Sequence, residues 1–252
     1  MNLKVISLQR SQERRNQFIK ANPGLRYDFV DGVDGRLLDD AQLQDREVFS
    51  ENLAFPSAGA FGCALSHRAL WLKACTDQTI ITVVEDDALF RADFAQCAQA
   101  CIESLDADWD LIMWGWNFDA MLSIQVLDGL SSMVISDQDA LRKRLDRFVA
   151  SKSPVQALKL DKCFGAVAYS ISPKGAALFL EQCFPIRPEP VLMPGHPKGF
   201  PVTGLDIMMN RIYLQTKSYM CFPPLAVTAN DHEISTIQIN RSLLQTQSGQ
   251  AI

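Results

Sequence analysis

The sequence predicts an α/β fold: a mostly parallel central sheet flanked by helices. Three observations predict it. Apolar strand patterns alternate with helix-period segments through the first half of the chain. The continuous β-branched run Thr79-Ile80-Ile81-Thr82-Val83-Val84 suits a central strand covered on both faces. That run ends in three consecutive acids, Glu85-Asp86-Asp87, at the end of the strand where open sheets of this kind bind ligands.

Taken in order, residues 4–8 read as a short apolar strand, and Ser11 can cap a polar helix running to Lys20. Residues 26–30 form the next strand, closed by tight turns at Gly32 and Gly35. A helix is expected over 59–74, with Phe61, Leu65, Ala69 and Leu72 recurring as its apolar face. After the β-branched strand come a helix over 92–104 and a buried strand over 109–114. Residues 118–160 show little pattern except 141–148, a short basic helix in an acidic chain. A solvated helix face explains it most simply; contact with an anionic acceptor or a membrane surface is the alternative. Residues 165–171 read as a strand, after which Ser172 and Pro173 supply the cap and first-turn proline of a helix. The proline-rich stretch 185–201 is expected to be a long surface loop, and such loops are more often functional than accidental.

Composition narrows the function. The 252 residues are 48% hydrophobic and 21% charged, which excludes extensive disorder. A net charge of -5 argues against nucleic acid as the main partner, because phosphate binding wants a basic surface. No apolar run approaches the ~20 residues of a membrane span. The N-terminus lacks the pattern of a secretory signal, so a cytoplasmic location is expected. The seven cysteines include one close pair, Cys97 and Cys101, with no second pair to complete a zinc site. They read as small apolar core residues in a reducing compartment.

The acidic run needs a physical reason. At ~4 Å and an effective dielectric of ~20, each like-charged pair costs about 4 kcal/mol. A divalent cation removes that penalty, and carboxylate oxygens are the ligands magnesium and manganese prefer. Such an ion would hold a diphosphate and stabilise it as a leaving group. The plainer alternative is a strand that ends in solvated acids.

Five pieces then occur in order: Val5-Ile6-Ser7-Leu8 with Arg10, Arg14 and Arg15; Val33-Asp34-Gly35; Gly62-Cys63-Ala64-Leu65-Ser66-His67; Val84-Glu85-Asp86-Asp87; and 168–176 followed by Gly204-Leu205-Asp206. Together they resemble glycosyltransferase family 25, which includes bacterial lipooligosaccharide biosynthesis enzymes. The resemblance implies a GT-A-like fold with an irregular C-terminal acceptor region. It implies one glycosyltransferase domain over 1–252, with a nucleotide-sugar half to about 117 and an acceptor and catalytic half beyond. It also implies a UDP-sugar donor (galactose or a related hexose), inversion at the anomeric carbon, and a Mn2+ or Mg2+ ion. The acceptor is a glycan or glycolipid, with at most peripheral membrane contact.

Carried over to this chain, Asp87 is the expected direct metal ligand, and Glu85 ligates through water or holds the ribose, with Asp86 between them. Ser7, Leu8, Arg10, Arg15 and Asp34 are expected to frame the donor; Arg10 and Arg15 are preferred over Arg14 for the diphosphate. Ser66 and His67 are candidates to contact the donor or the acidic centre, although a buried structural histidine is an equal reading. His232 or Asp231 is placed to complete the metal shell. Asp206 is the expected catalytic base, since inversion needs a carboxylate opposite the diphosphate; a helix-start aspartate favoured by the macrodipole is the alternative. A nucleotidyltransferase is disfavoured because the turn Leu8-Gln9-Arg10-Ser11 has no glycine, and a kinase because no P-loop exists. A non-catalytic sugar-binding module would be expected to lack the acids that are present here.

Overall fold

The computed structural model describes residues 1–193 and 196–229. The chain begins with β1 (Leu3–Ser7), whose alternating residues Leu3, Val5 and Ser7 are buried. Helix α1 (Gln12–Ala21) is polar and buries Phe18 alone. It leads to β2 (Asp28–Asp31) and to α2 (Asp40–Leu43), which is closed by a capping box between Asp39 and Gln42. The longest helix, α3 (Ala58–Asp77), starts at Ser57, whose hydroxyl accepts from the Ala60 amide, and stops at Gln78 in the left-handed region.

Then follow β3 (Ile81–Glu85), β4 (Ala88–Phe90), α4 (Phe94–Glu103) and β5 (Leu111–Gly115). The second half contributes β6 (Leu122–Leu127), β7 (Leu130–Val134), α5 (Gln138–Arg142), α6 (Leu145–Ala150), β8 (Gln156–Lys162) and β9 (Ala168–Ile171). It continues with α7 (Pro173–Cys183), β10 (Val191–Met193), β11 (His196–Phe200), α8 (Leu205–Met209), β12 (Ser218–Phe222) and β13 (Ala226–Thr228).

One central sheet has the order β2-β1-β3-β9-β5-β12-β8-β6-β7. It is parallel where β1 meets β2 and β3, and where β5 meets β12. It is antiparallel around β9 and across the distal strands β8, β6 and β7. Helices cover both faces, as the alternation of side chains along β3 and β5 requires. Ile81, Val83, Leu111 and Met113 pack with α3 and α7 around Trp71 and Phe179. Val84, Ile112 and Trp114 pack on the other face with Phe18 of α1 and Phe94 of α4. Buried polar side chains on that face pair with one another: Trp114 Nε1 donates to Ser170 Oγ, which also bonds Thr82 Oγ1.

Three expectations are corrected. The apolar face of α3 is not the Phe61–Leu65–Ala69–Leu72 stripe: Leu72 is 41% exposed, while Ala60, Ala64, His67, Trp71 and Ala74 are buried. The helix is wedged between the sheet and α7, so much of its circumference is covered, and small residues mark the close contacts. Stretch 185–201 is not structureless, because β10 and β11 pair antiparallel within it. Residues 118–160, which showed little pattern, supply β6, β7 and most of β8, which extend the sheet. Their outer positions are exposed, so apolar alternation is lost there.

Two glycines fix the loop after β2 against α3. A Cβ on Gly35 would lie 1.7 Å from the Ala58 carbonyl oxygen, and one on Gly62 would lie 2.3 Å from the Val33 carbonyl oxygen. Only hydrogen fits at either position, and the close approach builds one wall of the cleft described next.

Candidate active site

A cleft of about 110 Å³ opens at the carboxyl ends of β1 and β3. Its walls are the end of β1, the start of α1, the loop 32–36, the first turns of α3 and the acidic turn after β3. Of the residues singled out in the sequence, Ser7, Leu8, Arg10, Asp34, Ser66, His67, Glu85, Asp86 and Asp87 all line it. Pairing of β1 with β3 sets Ile6 beside Glu85, which brings the first strand and the acids together.

The three acids differ in their surroundings. Asp86 is 9% exposed and fully engaged: Ser7 Oγ donates to Oδ2 at 2.7 Å, and Arg14 Nε donates to Oδ1 at 2.8 Å, with Arg14 Nη2 on the same oxygen. Asp87 has a looser ion pair, 3.5 Å to Arg14 Nη2, and its side chain is 38% exposed. Glu85 is 26% exposed. Burial by the cleft walls, then the charges of Asp87 and Asp206, push the Glu85 carboxyl up to about 8. Burial also raises Asp87, against the pull of Arg14.

On α3, His67 is buried and its Nδ1 lies 2.7 Å from the Tyr169 hydroxyl, which also accepts from Trp71 Nε1 at 2.7 Å. With the indole hydrogen received, the hydroxyl satisfies its own hydrogen by donating to Nδ1. That assigns the Nε2–H tautomer, and Nε2 faces Glu85 Oε1 at 3.9 Å. Burial lowers the imidazole to about 4, so it is neutral. Ser66 is spent on the fold: its hydroxyl donates to the Gly62 carbonyl and accepts from the Val33 amide. On the rim, Arg10 Nε donates to Asp34 at 2.5 Å, raising the arginine and lowering the aspartate.

Asp206 opens α8 and is not part of the cleft lining. Its Oδ2 accepts from the Gly165 amide at 2.9 Å. Burial raises its carboxyl, opposed by the Gly165 and Ile207 amides, and its charge reaches Glu85 and Cys63. It therefore lies within electrostatic reach of the acidic centre.

Arg15 is placed differently from expectation. Its guanidinium binds the Ser7 carbonyl and Asp31 and stacks over Phe29, away from the cleft lining. Arg14 takes the cleft position instead. The signal for this was in the sequence: Phe18 is the single large apolar side chain anchoring α1, and Arg14 lies four residues before it, on the same face. Cys63 was likewise missed as a cleft residue, although it sits one turn before His67. His232 and Asp231 lie outside the described residues. No described helix is long and apolar enough to cross a membrane.

Sequence comparison identifies the class. The family described as glycosyltransferase family 25 (LPS biosynthesis protein) matches residues 1–193, and the chain belongs to it. It is accordingly a glycosyltransferase, and a nucleotide-sugar donor and a glycan acceptor follow from that class. None of the curated proteins matches the chain. Among solved structures, A197 from STIV is similar with 12% identity and a TM-score of 0.35, covering 95% of this chain and 100% of its own. Mouse xyloside xylosyltransferase 1, apo form, has 10% identity and a TM-score of 0.37, covering 85% and 68%. The inositol-1-phosphate CTP transferase from T. maritima has 8% identity and a TM-score of 0.33, covering 98% and 75%. Each of these likenesses is distant.

Proposed function

We propose that this glycosyltransferase moves a hexose, galactose first among the candidates, from a UDP-sugar to a hydroxyl of a lipooligosaccharide or related surface glycan. Transfer inverts the anomeric carbon and takes place on the cytoplasmic side, with at most peripheral membrane contact. The observation that supports it best is the division among the acids: Asp86 is consumed by Ser7 and Arg14, while Asp87 keeps only a looser pair with Arg14 and Glu85 is raised by burial and by the charge of Asp87. An all-oxygen pair of that kind suits a hard divalent cation, manganese or magnesium. Asp87 would hold the ion, with Glu85 beside it, and the ion would neutralise charge on the departing diphosphate.

The chain's own groups account for the remaining work. Arg14 and Arg10 set guanidinium groups along the cleft wall, where a diphosphate can be paired. The close-packed loop 32–36 and the end of β1 frame the nucleoside. Asp206, whose raised carboxyl lies within electrostatic reach of Glu85, takes the proton of the acceptor hydroxyl. As that oxygen bonds to the anomeric carbon, the carbon–oxygen bond to the diphosphate breaks and its electron pair leaves with UDP.

Calorimetric titration of UDP, UDP-galactose and UDP-glucose, each with manganese and with chelator, tests the reading on wild type and Asp87→Ala. Manganese-dependent binding that Asp87→Ala abolishes is expected, with UDP-galactose preferred. Absence of UDP binding with metal present would overturn the donor assignment.

A further inference from the structure

The α3 wall of the cleft carries two ligand atoms that the transfer chemistry does not use, the Cys63 sulfur and a His67 ring nitrogen, set against Glu85, which it does use. The Cys63 sulfur, an imidazole nitrogen of His67 and a Glu85 carboxylate oxygen all lie within 4.8 Å of one another. Cys63 and His67 are one helical turn apart, so α3 points both at the end of β3, where Glu85 stands. We propose that Cys63, His67 and Glu85 form a binding site for a soft divalent cation, zinc or its cobalt surrogate.

Three further observations support it. His67 Nε2 stands 3.9 Å from Glu85 Oε1, beyond hydrogen-bond reach, so its proton has no acceptor there and a cation can take that proton's place. A tetrahedral zinc with ordinary bond lengths needs ligand atoms about 3.4 to 3.7 Å apart, so shifts of less than about 1 Å would complete the set. The other imidazole nitrogen, Nδ1, is paired with Tyr169, and Tyr169 with Trp71; on metal binding the ring proton moves from Nε2 to Nδ1, which then donates to the Tyr169 oxygen, the supporting shell that metal-bound histidines usually have.

The donor types also separate this site from the one proposed for manganese. Thiolate and imidazole favour zinc, whereas Asp87 offers only hard oxygen. Burial and the nearby carboxylates hold the Cys63 thiol protonated in the empty site. A bound cation reverses that balance, and the thiol proton is released to solvent as the sulfur–metal bond forms. Three protein ligands leave one position open to water. Glu85 belongs to both sites, so zinc would withdraw it from the manganese centre and weaken donor binding; this last consequence rests on the proposed function.

The test is cobalt titration of the metal-stripped full chain, followed by absorption and without nucleotide. One equivalent should produce a thiolate-to-cobalt charge-transfer band with the visible bands of a tetrahedral site, and zinc should abolish them. Cys63→Ser should lose the charge-transfer band and bind zinc about 100-fold more weakly, and Tyr169→Phe about 10-fold more weakly. Asp87→Ala should keep the band. Melting curves establish that each variant folds, and His67→Gln serves as the second ligand variant. No band in wild type, or an unchanged band in Cys63→Ser, would overturn the site. Because nucleotide is absent, that failure leaves the donor reading standing, and a failure of UDP binding leaves this site standing.

Discussion

The two sides of the cleft are built on opposite terms. On the β1 side, Ser7, Arg14 and Asp86 close their hydrogen bonds on one another, and the aspartate is held from two directions. On the α3 and α8 side, Glu85, Asp87 and Asp206 all have carboxyls raised chiefly by burial, and Glu85 also feels the charges of the other two. The first side is complete as it stands; on the second, the carboxylates have fewer partners and keep raised carboxyls. Acids one residue apart in sequence thus divide between one held in the fold and two left loosely paired, the two to which the proposed function assigns the ligand.

Substitutions on each side should therefore fail in different ways. Asp206→Asn keeps an oxygen for the Gly165 amide but cannot take a proton, so turnover should fall about 1,000-fold, roughly 4 kcal/mol of barrier. Its melting temperature should be unchanged or raised, since a buried charge is removed; a large loss of stability instead would make Asp206 a structural residue. Asp86→Ala should do the reverse, costing about 3 kcal/mol in urea unfolding because it removes the closer carboxylate partner of Arg14, whose side chain is 19% exposed. A midpoint equal to wild type would erase the distinction between the two sides.

The pH dependence sharpens the contrast. His67 sits at about 4 in the fold against 6.5 unfolded, so its contribution is fully present above pH 6.5 and erodes as pH falls towards 4. Below that it is constant. In metal-free protein the loss should approach about 2 to 3 kcal/mol, and His67→Gln should remove this part of the pH slope. Protonation of the imidazole at pH 6, seen by NMR, would contradict the Tyr169-held neutral ring. The smallest effect is expected on the rim: Arg10→Ala breaks an exposed pair with Asp34 and should change stability by less than about 0.5 kcal/mol while weakening UDP binding measurably.

Much of this arrangement could be read from the sequence because it depends on local pattern. The β-branched run announced β3, and the acids after it had to lie at a strand end. The helix start at Ser172 follows from capping chemistry. The choice between Arg14 and Arg15 was harder, since α1 has one apolar anchor and its phase rests on Phe18 alone. Which acid would be consumed by the fold was not legible at all: that depends on Ser7, 79 residues away, and on the register of β1 against β3. The hairpin β10–β11 was hidden by its prolines, and the strands between 118 and 160 by their exposed outer faces. The α3 face was misread because burial on several sides erases the period that reveals a one-sided helix.

The place of β9 reaches beyond the cleft. It is formed by residues 168–171 yet lies between β3 and β5, both made before residue 116. A nascent or truncated chain ending near residue 117 would carry two central strands whose inner edges have no neighbour, and such edges invite pairing with other chains. Insertion of β9 must also close a loop of nearly ninety residues, as the pairing of Ile81 with Ile171 shows, which makes it a late and slow event in assembly. The sheet therefore sets a minimum length for synthesis: until the chain has grown past Ile171, its centre is an open seam that a chaperone or a neighbouring molecule can occupy.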